Sequence, residues 1–165
     1  MIAPDPVLDA IVANAVAITG AAAGRLMVHD GDDLIVVATA GLDELPIGSR
    51  VPATEGSAGY VVASGQPLAM AGQGDAVLCV PCPVDAAVVG ALELVDKTGG
   101  IPFTFDDVEL ATVLAAVAGP ALAHRDQPAV EVPDPEALGI ALGHLAAADS
   151  VRYAQVASIV SALIQ

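Results

Sequence analysis

Two stretches of this chain have the pattern of β-hairpins, and they constrain the fold more than any other feature. Residues 24–41, GRLMVHDGDDLIVVATAG, contain two apolar segments joined at Asp30-Gly31, a dipeptide typical of tight turns between antiparallel strands. Residues 77–97 repeat this arrangement around Asp85-Ala86. Because consecutive strands with short turns pair antiparallel, the chain is predicted to form an antiparallel sheet.

Segments with helical spacing flank the two hairpins. Apolar residues at helical intervals predict an N-terminal helix from about Pro6 to Thr19. The glycine-bounded segment 56–65 predicts a short helix, and QPLAM at residues 66–70 predicts a short strand. Thr104 and Asp107 then form a capping box that opens a longer helix.

The order of these elements indicates the fold class. A helix, a hairpin, a loop, a short helix, a second hairpin and a helix together predict an α+β fold. Its central antiparallel sheet carries the N- and C-terminal helices on one face. We expect a domain over residues 1–126 and a proline-rich linker over residues 127–135. Residues 136–165 are expected to form a C-terminal helical hairpin, which starts at a Pro-Asp-Pro like that of residues 4–6.

Composition and charge exclude several classes of function. The net charge is −15, and the five Lys and Arg residues are scattered along the chain. Phosphate backbones and anionic membranes are held by clustered cations, so we expect neither nucleic acid nor membrane as a partner. No apolar run reaches the roughly 20 residues of a membrane span. The acidic start, MIAPDPVLD, differs from a signal peptide, so the expected location is cytoplasmic.

Cys79 and Cys82 form a C-x-x-C pair, the spacing of redox and zinc sites. The three histidines lie far away in sequence, and no second such pair occurs. Side chains on a strand alternate between its faces, so two residues three apart are expected on opposite faces, unless a bulge at Pro81 brings them together. We therefore interpret the two cysteines as small buried residues in a reducing compartment and predict no metal site.

Three segments of the chain resemble the GAF domain family. Residues 55–70 resemble its glycine-spaced short helix, which ends in Gly and is followed by Pro. Residues 77–97 resemble its strand with a central proline and the glycine-containing strand after it. Residues 102–122 resemble the Phe-x-x-Asp start of its last helix, and with the first hairpin the likeness covers about residues 6–125. The residues that carry the match are Gly56, Gly59, Gly65, Pro67, Pro81, Gly90, Asp96 and Lys97.

The resemblance implies a non-catalytic, small-molecule-sensing or regulatory domain that acts in signalling as a homodimer. It also implies that Lys97 pairs with Asp107 to support the fold beside the pocket. An alternative is a ligand-free dimerisation module. In that case the N-terminal helix, the 106–125 helix and the C-terminal extension would form the shared bundle, and removal of residues 127–165 should give a monomer or an insoluble core.

Four ligand or activity classes of the family fit this chain poorly. Cyclic-nucleotide binders carry Asn-Lys and Asp-Glu where this chain has Asp96-Lys97 and Asp106-Asp107. Bilin binders place a cysteine beside a histidine, and neither cysteine here has such a neighbour. Haem needs an axial ligand, for which His29 is a candidate, but a histidine beside a turn is more typically solvated. The free methionine-R-sulfoxide reductases use three cysteines, and this chain has two. No cofactor is assigned, and we expect no enzymatic activity.

Five residues are predicted to face a ligand. The short helix supplies Tyr60, and the strand after it supplies Met70. The first hairpin supplies Met27 or His29. Arg50 is the only cation in the long loop, where it could hold an anionic ligand or form a surface salt bridge.

Overall fold

The computed structural model describes residues 5–41, 45–71, 76–125 and 134–163. The chain divides into two compact units, residues 1–127 and residues 128–165. Most of the predicted linker, residues 127–135, lies outside the described residues.

The first unit is built on one antiparallel sheet of six strands, which confirms the predicted α+β fold. Along the sheet the strands lie in the order β3-β2-β1-β6-β5-β4, so the first strand pairs with the last. The strands are β1 (Ala21–Asp30), β2 (Asp33–Gly41), β3 (Arg50–Pro52), β4 (Leu68–Ala71), β5 (Ala76–Val84) and β6 (Ala87–Lys97).

Both predicted hairpins are present. The first is β1–β2, in which Asp30 pairs with Asp33, so its turn is Gly31-Asp32, one residue later than predicted. The reason is that Gly31 adopts a positive φ of 62°, which a glycine tolerates without strain. The second is β5–β6, in which Val84 pairs with Ala87 and the turn is Asp85-Ala86, as predicted. The predicted short strand is β4.

The N- and C-terminal helices of this unit, α1 (Pro6–Thr19) and α3 (Phe105–His124), pack on the same face of the sheet, as predicted. Asp5 caps α1, because its carboxylate accepts a hydrogen bond of 2.9 Å from the backbone N–H of Val7. We call the apolar layer beneath these helices the first core. It contains Leu8, Val12, Leu26, Leu78, Leu92, Leu94, Ala115 and Leu122, among others.

A third helix, α2 (Gly56–Ser64), lies on the opposite face of the sheet. A Cβ atom at Gly59 would come within 3.0 Å of the carbonyl oxygen of Ala53, so a glycine is needed for this close approach. We call the smaller apolar layer beneath α2 the second core. Its buried residues are Met27, Leu34, Val36, Ala58, Val61, Cys79 and Ala91.

An ion pair joins the end of the sheet to the start of α3. Lys97 Nζ lies 2.5 Å from Asp107 Oδ2, which also accepts hydrogen bonds from the backbone and hydroxyl groups of Thr104. This confirms both the predicted Lys97–Asp107 pair and the predicted capping box. Burial acts to raise the pKa of Asp107, but the hydrogen bonds from Lys97 and Thr104 outweigh it and lower this pKa below its usual value.

The two cysteines lie on opposite faces of β5, as their spacing predicts. Cys79 belongs to the second core and Cys82 to the first. Both are buried, and neither forms a disulfide. Burial raises the pKa of Cys82 to about 12, and burial together with the nearby Glu93 raises that of Cys79 further. Both thiols therefore stay protonated and unreactive near neutral pH.

The second unit consists of two helices, α4 (Pro135–Ala148) and α5 (Ser150–Leu163), which contact each other. Asp134 caps α4 through the backbone N–H of Ala137, and only Asp149 separates the two helices. No described residue of α4 is buried, and Ile140, Val151 and Ile159 are each more than half exposed.

None of the helices within the described ranges has the length and apolar character needed to cross a membrane.

Candidate ligand pocket

A cavity of about 250 Å³ lies between α2 and the sheet, on the side of the second core. Its floor comes from β1 and β6, one wall from β3 and Leu45, and the other wall from the start of α2. The lining residues are Arg25, Met27, Leu45, Val51, Pro52, Glu55, Gly56, Ser57, Ala58 and Glu93.

The floor of this cavity carries a buried ion pair. Arg25 on β1 and Glu93 on β6 are direct partners in the strand register, so their side chains project from the same face of the sheet. An Arg25 guanidinium nitrogen contacts Glu93 Oε2. The Arg25 side chain is 21% exposed and that of Glu93 only 4%, so both charges are largely withdrawn from water. A pair buried to this extent interacts more strongly than one at the surface, but its desolvation is costly.

Ser57 connects the helix above the cavity to this ion pair. It lies in the first turn of α2, and its hydroxyl donates a hydrogen bond to Glu93 Oε1. Glu93 therefore contacts the sheet through the ion pair at Oε2 and α2 through the hydrogen bond at Oε1. Among the described residues, Glu93 Oε2 accepts no hydrogen bond. We refer to Arg25, Glu93 and Ser57 together as the polar triad.

A second cavity, of about 350 Å³, lies at the other end of β6. The loop that leads to α3 lines it, together with Lys97 and Asp96. The ammonium of Lys97 is already paired with Asp107, in the ion pair that anchors α3. The pocket beneath α2 is the better candidate, because its charged groups line an otherwise apolar cavity between a helix and the sheet.

Of the five predicted ligand-facing residues, the structure places only Met27 at the pocket beneath α2. His29 is exposed near the end of β1, Tyr60 on α2 is 54% exposed, and Met70 on the edge strand β4 is 46% exposed. Arg50 forms exposed ion pairs of 3.0 Å with Asp30 and Asp33. These two partners raise the pKa of Arg50.

Sequence reasoning missed the polar triad, although the sequence contains a signal for two of its members. Arg25 and Glu93 are single charges within apolar strands, AAAGRLMV and GALELV. A charge inside an otherwise buried strand must be paired or functional. The partner could not be read from the sequence, because β1 and β6 are far apart in the chain and pair only in the folded sheet.

The match to a known family decides the classification. The family model described as GAF domain matches residues 3–122. The chain belongs to the GAF domain family. GAF domains are in general regulatory or sensing modules of signalling proteins. The pocket and the polar triad lie within the matched region.

Solved GAF domains resemble this chain over most of their length. The second GAF domain of DevS from Mycobacterium smegmatis has 26% identity and a TM-score of 0.61, covering 71% of this chain and 91% of that one. The GAF domain of an Acinetobacter phosphoenolpyruvate-protein phosphotransferase has 17% identity and a TM-score of 0.66, covering 75% and 85%.

A free methionine-R-sulfoxide reductase from Neisseria meningitidis, solved with its substrate, has the same fold. It has 18% identity and a TM-score of 0.56, covering 73% of this chain and 80% of that one. At this identity the likeness concerns the fold alone. A search of curated protein sequences found no match to this chain.

Proposed function

We propose that this GAF domain is a non-catalytic sensor whose small-molecule ligand binds in the pocket beneath α2. The observation that carries the proposal is the Arg25–Glu93 pair on the pocket floor. Replacing a buried ion pair with apolar residues is often neutral or stabilising, so stability alone gives little reason to keep it. A few convergent polar groups in an otherwise apolar pocket are typical of ligand sites.

The polar triad also suggests how binding is communicated. Ser57 is part of α2, and its hydroxyl bonds to the same carboxylate that faces the pocket. A ligand that engages Glu93 therefore competes with Ser57, and the first turn of α2 would move relative to the sheet. Such a ligand would bias the position of α2, which is the requirement for a sensor with two states.

A non-catalytic role accords with the chemistry of the described residues. The raised pKa of both thiols leaves Cys79 and Cys82 without nucleophilic character. Within the ranges that the structure describes, no group of three or more His, Cys, Asp or Glu could hold a metal ion. Two cysteines without a disulfide also suit the cytoplasmic setting that we propose.

A thermal-shift screen with a library of small metabolites tests the pocket. A ligand near 100 times its Kd should stabilise the domain by about 2.7 kcal/mol and raise its Tm by several degrees. Val51→Phe places a ring into the cavity and should abolish that shift. Val151→Phe, at a 70% exposed position on α5, is the matched control and should retain it. A shift that Val51→Phe leaves intact would locate the ligand elsewhere and contradict the proposal.

We further propose that the domain forms a homodimer through the outward sides of α1 and α3. These helices pack on each other and on the same sheet face, so their outward sides adjoin. We call this surface the α1–α3 outer face. Neither Ala10–Gly24 nor Leu110–Ala123 contains a charged residue. Its large exposed residues are Val7, Ile18, Leu110, Val113 and Val117.

Charge is the reason to assign this face to a second copy of the chain. At a net charge of −15, two copies repel each other over most of their surfaces. This face is mostly apolar, with acidic residues only near the N-terminal ends of its helices, Asp9 in α1 and Asp106 and Glu109 in α3. It is therefore the approach with the least repulsion, and it gains free energy from burial. A symmetric dimer would bring the same face from both copies together.

Two acidic substitutions on this face should dissociate the dimer. Val113 and Val117 are 64% and 56% exposed, so Val113→Glu with Val117→Glu adds charge without disturbing the first core. Light scattering after size exclusion should show a dimer for the parent chain and a monomer for this variant. Tyr60→Glu, on the opposite side of the sheet, should remain dimeric. A parent chain that is monomeric throughout would contradict the proposal.

A further inference from the structure

We propose that the ligand of the pocket beneath α2 is a small α-amino acid with a neutral, apolar side chain, bound as a zwitterion. This inference rests on the proposed function and names the chemical class that the polar triad can recognise. It follows from the charges on the pocket floor, their mutual contact, and the size and character of the walls.

The charges at the pocket disfavour a ligand of only one sign. An anion could pair with Arg25 but would lie against Glu93, which is nearly fully buried and cannot be screened by water. Glu55 at the rim and the net charge of −15 add to this repulsion. A cation could pair with Glu93 but would lie against the Arg25 guanidinium. A ligand that carries both charges meets an opposite charge with each.

The contact between Arg25 and Glu93 also restricts how far apart the ligand's charges can be. Because the two side chains touch, their opposite charges are presented next to each other. In an α-amino acid a single carbon separates the ammonium from the carboxylate, so its dipole can lie antiparallel to the ion pair. A zwitterion with a long spacer cannot place both ends there without folding back on itself.

The polar triad has the bonding capacity for such a ligand. A guanidinium has five N–H donors in a rigid fork. The Nε of Arg25 is buried and makes no hydrogen bond within the described residues, so it can donate to a ligand carboxylate while a terminal nitrogen contacts Glu93. A carboxylate has about four acceptor positions. Ser57 donates a hydrogen bond to one oxygen of Glu93 and Arg25 contacts the other, so an ammonium that bonds to Oε1 takes the place of Ser57.

The remaining walls fit a short apolar side chain. Met27, Val51 and Ala58 present carbon atoms to the cavity. At about 250 Å³ the cavity is slightly smaller than typical ligand pockets, which measure roughly 300–1,000 Å³. This volume suits a single amino acid and is small for a nucleotide or a tetrapyrrole.

Calorimetry with the full-length chain tests the class directly. L-alanine, L-valine, L-leucine, L-methionine and L-proline are titrated first. L-leucine is then compared with 3-methylbutylamine, which lacks the carboxylate, and with 4-methylpentanoate, which lacks the ammonium. A third analogue, 6-aminohexanoate, is an isomer of leucine that keeps both charges but separates them by a five-carbon chain. The best amino acid should bind, and each leucine analogue should bind at least about tenfold more weakly than leucine.

Variants of the ion pair give the sharpest readout, because a merely structural role would not reverse a preference. Glu93→Gln should weaken binding of L-leucine at least about tenfold and improve binding of 4-methylpentanoate. Arg25→Gln should weaken binding of L-leucine and improve binding of 3-methylbutylamine. If either single variant fails to fold by circular dichroism, the double variant Arg25→Met, Glu93→Leu removes both charges together. It should stay folded and lose amino-acid binding.

The outcomes separate this inference from the proposed function. The zwitterion proposal is wrong if the amine or the carboxylate analogue binds as tightly as leucine. It is also wrong if no amino acid binds at concentrations up to about 10 mM. The pocket assignment still stands in that case if another metabolite binds and Val51→Phe abolishes its binding. Amino-acid binding that survives both Val51→Phe and the double variant would overturn the zwitterion proposal and the pocket assignment together.

Discussion

Asp107→Ala is expected to lower the free energy of unfolding by about 3 kcal/mol, because it leaves the ammonium of Lys97 without its buried partner. The side chains of Asp107 and Lys97 are only 8% and 14% exposed, so water replaces little of the lost interaction. The substitution also removes the carboxylate of the capping box at Thr104. Chemical denaturation at neutral pH measures the loss.

In acid, Asp107→Ala should become as stable as the parent chain. The folded state lowers the pKa of Asp107, so this carboxylate stabilises the fold above its unfolded pKa of about 3.9. That stabilisation disappears as the pH falls through the lower, folded pKa. The stability difference between the parent chain and Asp107→Ala should therefore be complete at pH 6 to 7 and shrink below about pH 4.

Asp106→Ala is the matched control, because Asp106 lies in the same helical turn but is exposed. It should cost less than about 1 kcal/mol, the usual value of a carboxylate near a helix N-terminus. Adding Lys97→Met to Asp107→Ala should recover part of the loss, since it removes the unpaired charge. Equal effects of Asp106→Ala and Asp107→Ala would mean that the ion pair does not anchor α3.

Gly119→Ala is expected to lower the free energy of unfolding by about 3 kcal/mol. This loss is expected although alanine is more favourable than glycine inside a helix by about 1 kcal/mol. Gly119 lies where α3 crosses β5, and a Cβ atom there would come within 3.0 Å of the carbonyl oxygen of Pro83. Real Cβ atoms essentially never make so short a contact, and the obstacle is backbone, which cannot rotate away. The helix must therefore move off the sheet and open the first core.

The glycine Gly139 in α4 provides the control for this substitution. A Cβ atom there would meet no atom within 4 Å, so Gly139→Ala should leave stability unchanged or raise it by about 1 kcal/mol. Thermal and urea denaturation followed by circular dichroism compare the two variants. A neutral or stabilising Gly119→Ala would contradict the close packing of α3 on β5.

The fold was predictable from the sequence because its signals are local. Hairpin turns, the glycine-bounded α2 and the capping box at Thr104 each depend on residues only a few positions apart. Even the opposite placement of Cys79 and Cys82 follows from the alternation of side chains along one strand. The turn of the first hairpin lies one residue later than predicted, because Gly31, with its positive φ, is the first of the two turn residues.

The site was less predictable because it depends on contacts between distant parts of the chain. Arg25 and Glu93 meet only because β1 pairs with β6, and Ser57 joins them only because α2 folds over that face. From its chemistry alone, Arg50 could hold an anionic ligand or form a surface salt bridge. In the structure that guanidinium lies beside Asp30 and Asp33, outside the pocket beneath α2.

The central claim is that the pocket beneath α2 holds a small molecule. Native mass spectrometry of the gently purified full-length chain, beside its denatured mass and the Val51→Phe variant, tests it most directly. We expect an added mass in the native spectrum of the parent chain, in the range of a small metabolite. That mass should be absent after denaturation and absent from Val51→Phe. An equal added mass on the parent chain and on Val51→Phe would contradict the claim.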